Sequence, residues 1–275
     1  MNQFRYCLVL EFNGSDFCGW QKQSSFQEDE QKPSIQNVLL SALQTITRQD
    51  VVSVTGCGRT DAGVHAQAYF AHFDLSQKLE EPRRIRLGLD AVLPNSIGVL
   101  DLREVSSSFH ALESVKTKTY EYTVLLRRGK DALGLSKRWW IPIESEPSSD
   151  QFDFDVLNDA LRQLEGSHDF VGFAASGYGA KTTKRTLHSA TVRRVPQGML
   201  PSQGTELIFT FTGDGFLRHQ VRNMVGTLVR MAQGQLEANF VEVLLKTPQR
   251  PENRVQGLHC APGFGLSLKE VVYEE

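Results

Sequence analysis

The sequence predicts an α+β fold of two ferredoxin-like (β-α-β-β-α-β) halves, with antiparallel sheets joined across a central cleft. Three observations lead there. Short apolar runs alternate with period two, helical periodicity interrupts them at regular places, and the same order of elements recurs in the second half. The 275 residues suffice for two domains of ordinary size, expected at 1–106 and 107–275 and joined near Ser106–Phe109.

In the first half, Arg5–Phe12 alternates and stops at Asn13–Gly14, as a strand does. Ser34 can cap a helix whose apolar face is Ile35, Val38, Leu39, Leu43 and Ile46. Val51–Val54 reads as a short strand, Gly58–Ala66 as a loop and Ala68–Phe73 as a strand. Pro82 opens a second helix carrying Ile85, Leu89 and Val92, and Leu93–Pro94–Asn95 ends it before a strand at Ile97–Val105.

The second half repeats the order. Lys118–Leu126 is a strand, and Asp155 is expected to cap a helix with Val156, Leu157, Leu161 and Leu164. Strands follow at Leu187–Val195 and Glu206–Thr212. A long helix is expected over Phe216–Gln233, a short one near Phe240–Leu245, and a closing strand at Gly265–Tyr273.

Composition narrows the function classes. No run approaches the ~18 apolar residues of a membrane span, and Met1–Asn2–Gln3 opens no secretory pattern. A cytoplasmic protein with no membrane partner is expected. Cys7, Cys18, Cys57 and Cys260 are too scattered for a zinc site or a disulfide framework, and they read as small buried residues. No metal or other cofactor is expected. The formal net charge is −2, yet the cations are bunched. Lys116, Lys118, Arg127, Arg128, Lys130, Lys137 and Arg138 form one stretch, and Lys181, Lys184, Arg185, Arg193 and Arg194 a second. Acidic residues such as Glu28, Asp29, Glu30, Glu274 and Glu275 lie elsewhere. Such asymmetry permits a basic surface on an acidic protein.

The chemistry-bearing run is Gly58-Arg59-Thr60-Asp61-Ala62-Gly63-Val64-His65-Ala66. It sets a carboxylate in a glycine-bracketed loop between two strands, where backbone can come close to a ligand. An ordinary turn, with Asp61 bonded to its own backbone, would also satisfy the pattern.

This run resembles the active-site motif of the tRNA pseudouridine synthase A family, and the similarity extends along nearly the whole chain. Tyr6–Phe12, Phe17–Gly19–Trp20–Gln21 and Ser34–Ile35–Gln36 occur in family order. So do Leu93–Pro94, Ser108–Phe109–His110–Ala111, Tyr120–Glu121–Tyr122, His168–Asp169–Phe170, the segment Phe216–Gly226 with His219, Val221, Arg222 and Asn223, and Gly265–Leu266. Two departures stand out. Leu112 and Glu113 follow Phe-His-Ala where many members carry arginine, so an RNA contact there lacks its cation. The loop Ser24–Lys32 is longer and more acidic than the usual connection.

The resemblance implies isomerisation of uridine to pseudouridine in the anticodon stem-loop of tRNA, at positions 38, 39 and 40, by a homodimer needing no small-molecule cofactor. Asp61 is then the nucleophile, and attack at C1′, attack at C6 or assistance to elimination all remain compatible with a carboxylate. Arg222 matches the arginine that pairs with it, and Tyr120 the tyrosine that stacks on the target base. Tyr122, further along the strand, is expected to face away. Arg59 matches the residue that fills the space left by the flipped nucleotide. Gln21, His65 and Phe170 are further substrate-contact candidates, and the basic stretches would follow the phosphate backbone. A non-catalytic RNA-binding protein on the same fold would need an aromatic-rich run on a central strand, which the sequence lacks. An aspartyl-phosphate enzyme would need carboxylates for Mg²⁺ around Asp61, and none is near in sequence.

Overall fold

Alternation of buried and half-buried residues along Phe4–Phe12 makes this segment β1, the strand around which the first half assembles. In a computed structural model of the chain, residues 3–21, 32–134, 136–143, 152–175, 182–198, 203–246 and 258–274 are described. Most of the acidic loop Ser24–Lys32, together with Lys181 and Glu275, falls outside them. The chain forms two compact units, Met1–Lys116 with Ser267–Glu275, and Thr117–Leu266.

The first unit runs β1, α1 (Ile35–Thr47), β2 (Thr55–Gly56), β3 (His65–Leu75), α2 (Pro82–Val92) and β4 (Ile97–Glu104). β3 and β4 flank β1, both antiparallel to it, and β2 pairs antiparallel with the far edge of β3. That is the sheet order of a ferredoxin-like half. Because β2 covers only Ala71 and His72, the start of the same edge is free for β10 (Leu266–Tyr273), which pairs there in parallel through Ser267 and Leu268. Tyr6, Leu8 and Leu10 of β1 and Tyr69, Ala71 and Phe73 of β3 are buried, as are Leu39 and Leu43 of α1 and Leu89 of α2. The Ser34 cap forms as expected, its Oγ accepting from the Asn37 amide at 3.3 Å.

The strand expected at Val51–Val54 does not form. Gln44 and Gln36 on α1 donate through Nε2 to the carbonyls of Val51 and Val54, at 3.0 and 2.7 Å. Helix side chains thereby take the place of a ladder.

The second unit contains β5 (Val115–Leu126, entering from the first), β6 (Trp139–Ile141), α3 (Phe154–Leu164), β7 (Gly166–Asp169), β8 (Lys184–Pro196), β9 (Thr205–Gly213), α4 (Gln220–Ala232) and α5 (Phe240–Lys246). Its sheet follows the order β5, β9, β8, β7, each pair antiparallel, with β6 parallel to β5. The cap of α3 is Asp153, not Asp155. Its carboxylate accepts from the amides of Asp155 and Val156 at 2.9 and 3.0 Å, which puts Asp155 inside the first turn. α4 begins four residues later than the sequence periodicity suggests, because His219 adopts a left-handed conformation (φ 63°) that halts the helix.

Tyr120 and Tyr122 do not face opposite ways. A strand repeats every two residues, so both join Val124 on the buried face, opposite Phe211, Phe209 and Leu207 of β9.

The turn that leads out of β4 is fastened to the first unit by three side chains. Arg5, bidentate on Asp74 through two 2.8 Å bonds, also donates to the carbonyls of Ser107 and Phe109. The Tyr273 hydroxyl donates to the Ala111 carbonyl at 2.8 Å. His72, only 5% exposed, accepts the Ala111 amide on Nδ1 at 3.1 Å. Burial first, then the charges of Arg5 and His110, push the His72 pKa down from 6.5 to about 4, against an opposing pull from Asp74. Between pH 6.5 and about 4 the unfolded chain therefore takes up a proton that the folded chain refuses. Stability is complete above this window and falls as pH drops through it. We expect urea midpoints of His72→Gln, which keeps an acceptor but no titrating ring, to fall less than wild type between about pH 7 and pH 4.5. Parallel losses in the two proteins would acquit His72.

Candidate active site

The run Gly58–Ala66 is held by backbone bonds to the adjacent segment Gly19–Trp20. The Trp20 amide donates to the Thr60 carbonyl at 3.1 Å, and Gly19 forms an antiparallel bridge with Asp61. The same segment meets the start of α1, with the Ile35 amide donating to Gly19 and the Gln36 amide to Trp20. Gly19 has φ 114°, and a Cβ there would overlap the Thr60 carbonyl, so only glycine lets the strands close here. Within the loop the Val64 amide donates to the Asp61 carbonyl at 3.2 Å, a turn that places Gly63 at φ 77°.

An aromatic base lies under this loop. Trp20 and Tyr69 are fully buried with ring centroids 4.4 Å apart, and the Tyr69 hydroxyl donates to the Gly58 carbonyl. Asp61 is half-buried, Arg59 exposed and Thr60 buried between them, the alternation of an extended chain. His65 opens β3 and accepts the Gly14 amide on Nδ1 at 3.1 Å, tying the loop to the turn after β1. Gln21 is half-buried and follows directly on the Gly19–Trp20 anchor. The first unit thus gathers Gln21, Arg59, Asp61 and His65 on one fixed loop system.

The second unit holds Tyr120, Phe170 and Arg222. Tyr120 is 9% exposed, with Phe216 edge-on at 5.1 Å. Phe170 is 0% exposed, its ring among those of His168 and Phe173, so it supports a 3-10 turn (Phe170–Phe173) and offers no face to a base. Arg222, half-buried on α4, donates from Nε to the Ala261 carbonyl at 2.8 Å, and the Ala261 amide returns a bond to the Arg222 carbonyl. With Nε taken, the guanidinium plane is oriented and its two terminal nitrogens form the fork that suits a carboxylate.

Several supporting residues drew no role from the sequence. Asn223 donates to the Phe173 carbonyl at 2.7 Å and the Ala175 amide to Arg218, joining the start of α4 to the 3-10 turn. Gly226 admits the chain at His259, where a Cβ would overlap the His259 carbonyl. The Tyr122 hydroxyl donates to the Pro262 carbonyl at 2.7 Å, and burial pushes its pKa up, against the pull of Arg222. Among the described residues, no group of three or more His, Cys, Asp or Glu side chains is placed to hold a metal ion.

A family model described as tRNA pseudouridine synthase matches residues 9–112 and 160–274. The chain belongs to the tRNA pseudouridine synthase family. The matched segments contain Gln21, Arg59, Asp61, His65, Phe170 and Arg222, while Tyr120 lies between them. Relatives named tRNA pseudouridine synthase A include those of Streptococcus equi subsp. equi (strain 4047), 36% identical, and Streptococcus mutans serotype c (strain ATCC 700610 / UA159), 35% identical. Each alignment covers 98% of this chain and 99% of the relative. A member of this family is an isomerase, and its substrate carries its own leaving group and acceptor carbon.

In this synthase, Gly226→Ala should displace the backbone at His259 and with it the Ala261 carbonyl that orients Arg222. We expect turnover to fall about tenfold or more, ~1.4 kcal/mol in barrier, while α4 stays folded by circular dichroism. Wild-type turnover in Gly226→Ala would show that the close approach at His259 has no bearing on Arg222.

Proposed function

We propose that the protein converts uridine to pseudouridine at positions 38, 39 and 40 of the tRNA anticodon stem-loop, acting as a homodimer in the cytoplasm with Asp61 as nucleophile. The observation that carries this reading is the double backbone anchoring of the Gly58–Ala66 loop, in a chain of this family. A nucleophile that acts once per flipped nucleotide must be held in position before the substrate arrives.

The reaction conserves atoms. The N1–C1′ bond breaks, the base turns over, a C5–C1′ bond forms, the C5 proton leaves and N1 gains one. A carboxylate with a reference pKa of about 3.9 is ionised at neutral pH, so Asp61 needs no activating base. It needs exclusion of water and a cation that keeps it charged there. Arg222 serves as that cation, its Nε already engaged by Ala261. Tyr120 supplies an aromatic face for the uracil, which holds the ring without fixing its orientation. Arg59, exposed beside the nucleophile, fills the gap left by the extruded nucleotide. Gln21 and His65 sit on the same loop system as secondary contacts, while Phe170, buried in the second unit, makes no contact with the base.

Release of tritium from C5-labelled tRNA measures the reaction directly, and a protein that only binds RNA releases none. Asp61→Ala should abolish release while tRNA affinity stays within about tenfold, ~1.4 kcal/mol. Retained turnover would strip Asp61 of its role. Arg222→Lys keeps the charge but loses the fork and the Nε bond, so rate should drop much further than affinity. Equal drops in both would reassign Arg222 to tRNA binding.

A further inference from the structure

The segment between β5 and β6 carries five cations, Arg127, Arg128, Lys130, Lys137 and Arg138, and the fold uses them in two different ways. Two turn inward. Asp131 is 1% exposed, and Arg138 grips it with Nε at 2.6 Å and a terminal nitrogen at 3.0 Å. Arg127 stands 3.7 Å from the same carboxylate and also donates to the carbonyls of Gly129 and Lys130. Arg138 further pairs with Glu206, and the Gly134 amide donates to Asp131 at 3.1 Å. Burial alone would raise the Asp131 pKa, but Arg138, the Gly134 amide and Arg127 together hold it below the usual carboxylate range.

The other three turn outward. Arg128, Lys130 and Lys137 are exposed, and among the described residues none has a side-chain hydrogen bond or ion pair. Leu133, between them in sequence, is 99% exposed. A loop that merely joined two strands would need no buried carboxylate with two guanidiniums around it, an arrangement that carries a desolvation penalty. Nor would it leave three cations of one short loop exposed and without side-chain partners among the described residues. The segment lies between the two stretches matched by the family model.

We propose that this loop is a docking prong for the phosphate backbone of tRNA, in which Arg128, Lys130 and Lys137 each meet a phosphate while Arg127 and Arg138 build the frame through Asp131. The proposal rests on the reading of the chain as a tRNA-modifying enzyme. It divides the basic stretch of the sequence into frame and contact, which the charges alone do not.

The test compares wild type with Arg128→Gln/Lys130→Gln/Lys137→Gln, using the full chain and an unmodified tRNA transcript at salt from about 50 to about 200 mM. Each lost phosphate contact should flatten the plot of log affinity against log salt by roughly 0.7–0.9, hence about two to three units for the triple variant. Affinity near 0.15 M salt should fall about tenfold or more, with KM rising further than kcat falls. Arg83→Gln/Arg84→Gln on α2 should leave the slope near that of wild type. A triple variant with wild-type slope and affinity overturns the proposal. A slope reduced equally in the α2 variant overturns it too, since net charge would then be the cause. Failure of the enzymatic reading has a different signature, namely no C5 tritium release by wild type, and the slopes are read independently of it.

Discussion

The bond from the Trp20 amide to the Thr60 carbonyl is the constraint on which the rest of the first unit depends. It fastens the residue before Asp61 to the chain that enters α1, and the bridge at Gly19 extends the pairing to Asp61 itself. Beneath it, Trp20 and Tyr69 fill the space that would let the loop sink or shift. Placing the Asp61 carboxylate is thus achieved in part with main-chain bonds and buried rings. Loops held in this way combine the exposure that chemistry needs with the rigidity of a sheet.

The second unit solves the parallel problem for a cation. A long flexible side chain on a helix samples many rotamers, and ordering it carries an entropic penalty. The carbonyl of Ala261 removes much of that freedom for Arg222 by engaging Nε, and the approach that delivers Ala261 is possible because position 226 is glycine. Lysine has no nitrogen that could answer the same carbonyl and still present a planar pair. The choice of arginine is therefore dictated by the backbone beside it as well as by the carboxylate it would meet.

Much of this was legible in the residues. Period-two alternation located β1, β3, β5 and β9, and the Ser34 cap with its apolar face located α1, because those signals are local. Where competing partners come from elsewhere in the chain, the sequence misled. Val51 and Val54 look like a strand, but glutamines of α1 claim their carbonyls. The charge list around residue 130 does not say which arginines are taken by Asp131 and Glu206, since Glu206 lies on a distant strand. Phe170 matched a site motif yet lies in a core, and the motif carried no mark of burial. Gly226 closed a motif segment without a reason for being glycine, because the need for glycine there comes from a carbonyl that approaches from His259.

The brevity of β2 has a consequence for how the protein matures. Residues His65 and Ala66, where the loop of Asp61 passes into β3, are completed along their free edge by Ser267 and Leu268. These are translated after every other residue assigned to the reaction. A nascent chain interrupted before them contains Asp61, Arg222 and Tyr120, but has an unfinished seam beside the loop. The pairing that completes the start of β3 therefore waits until the chain has been made as far as residue 268.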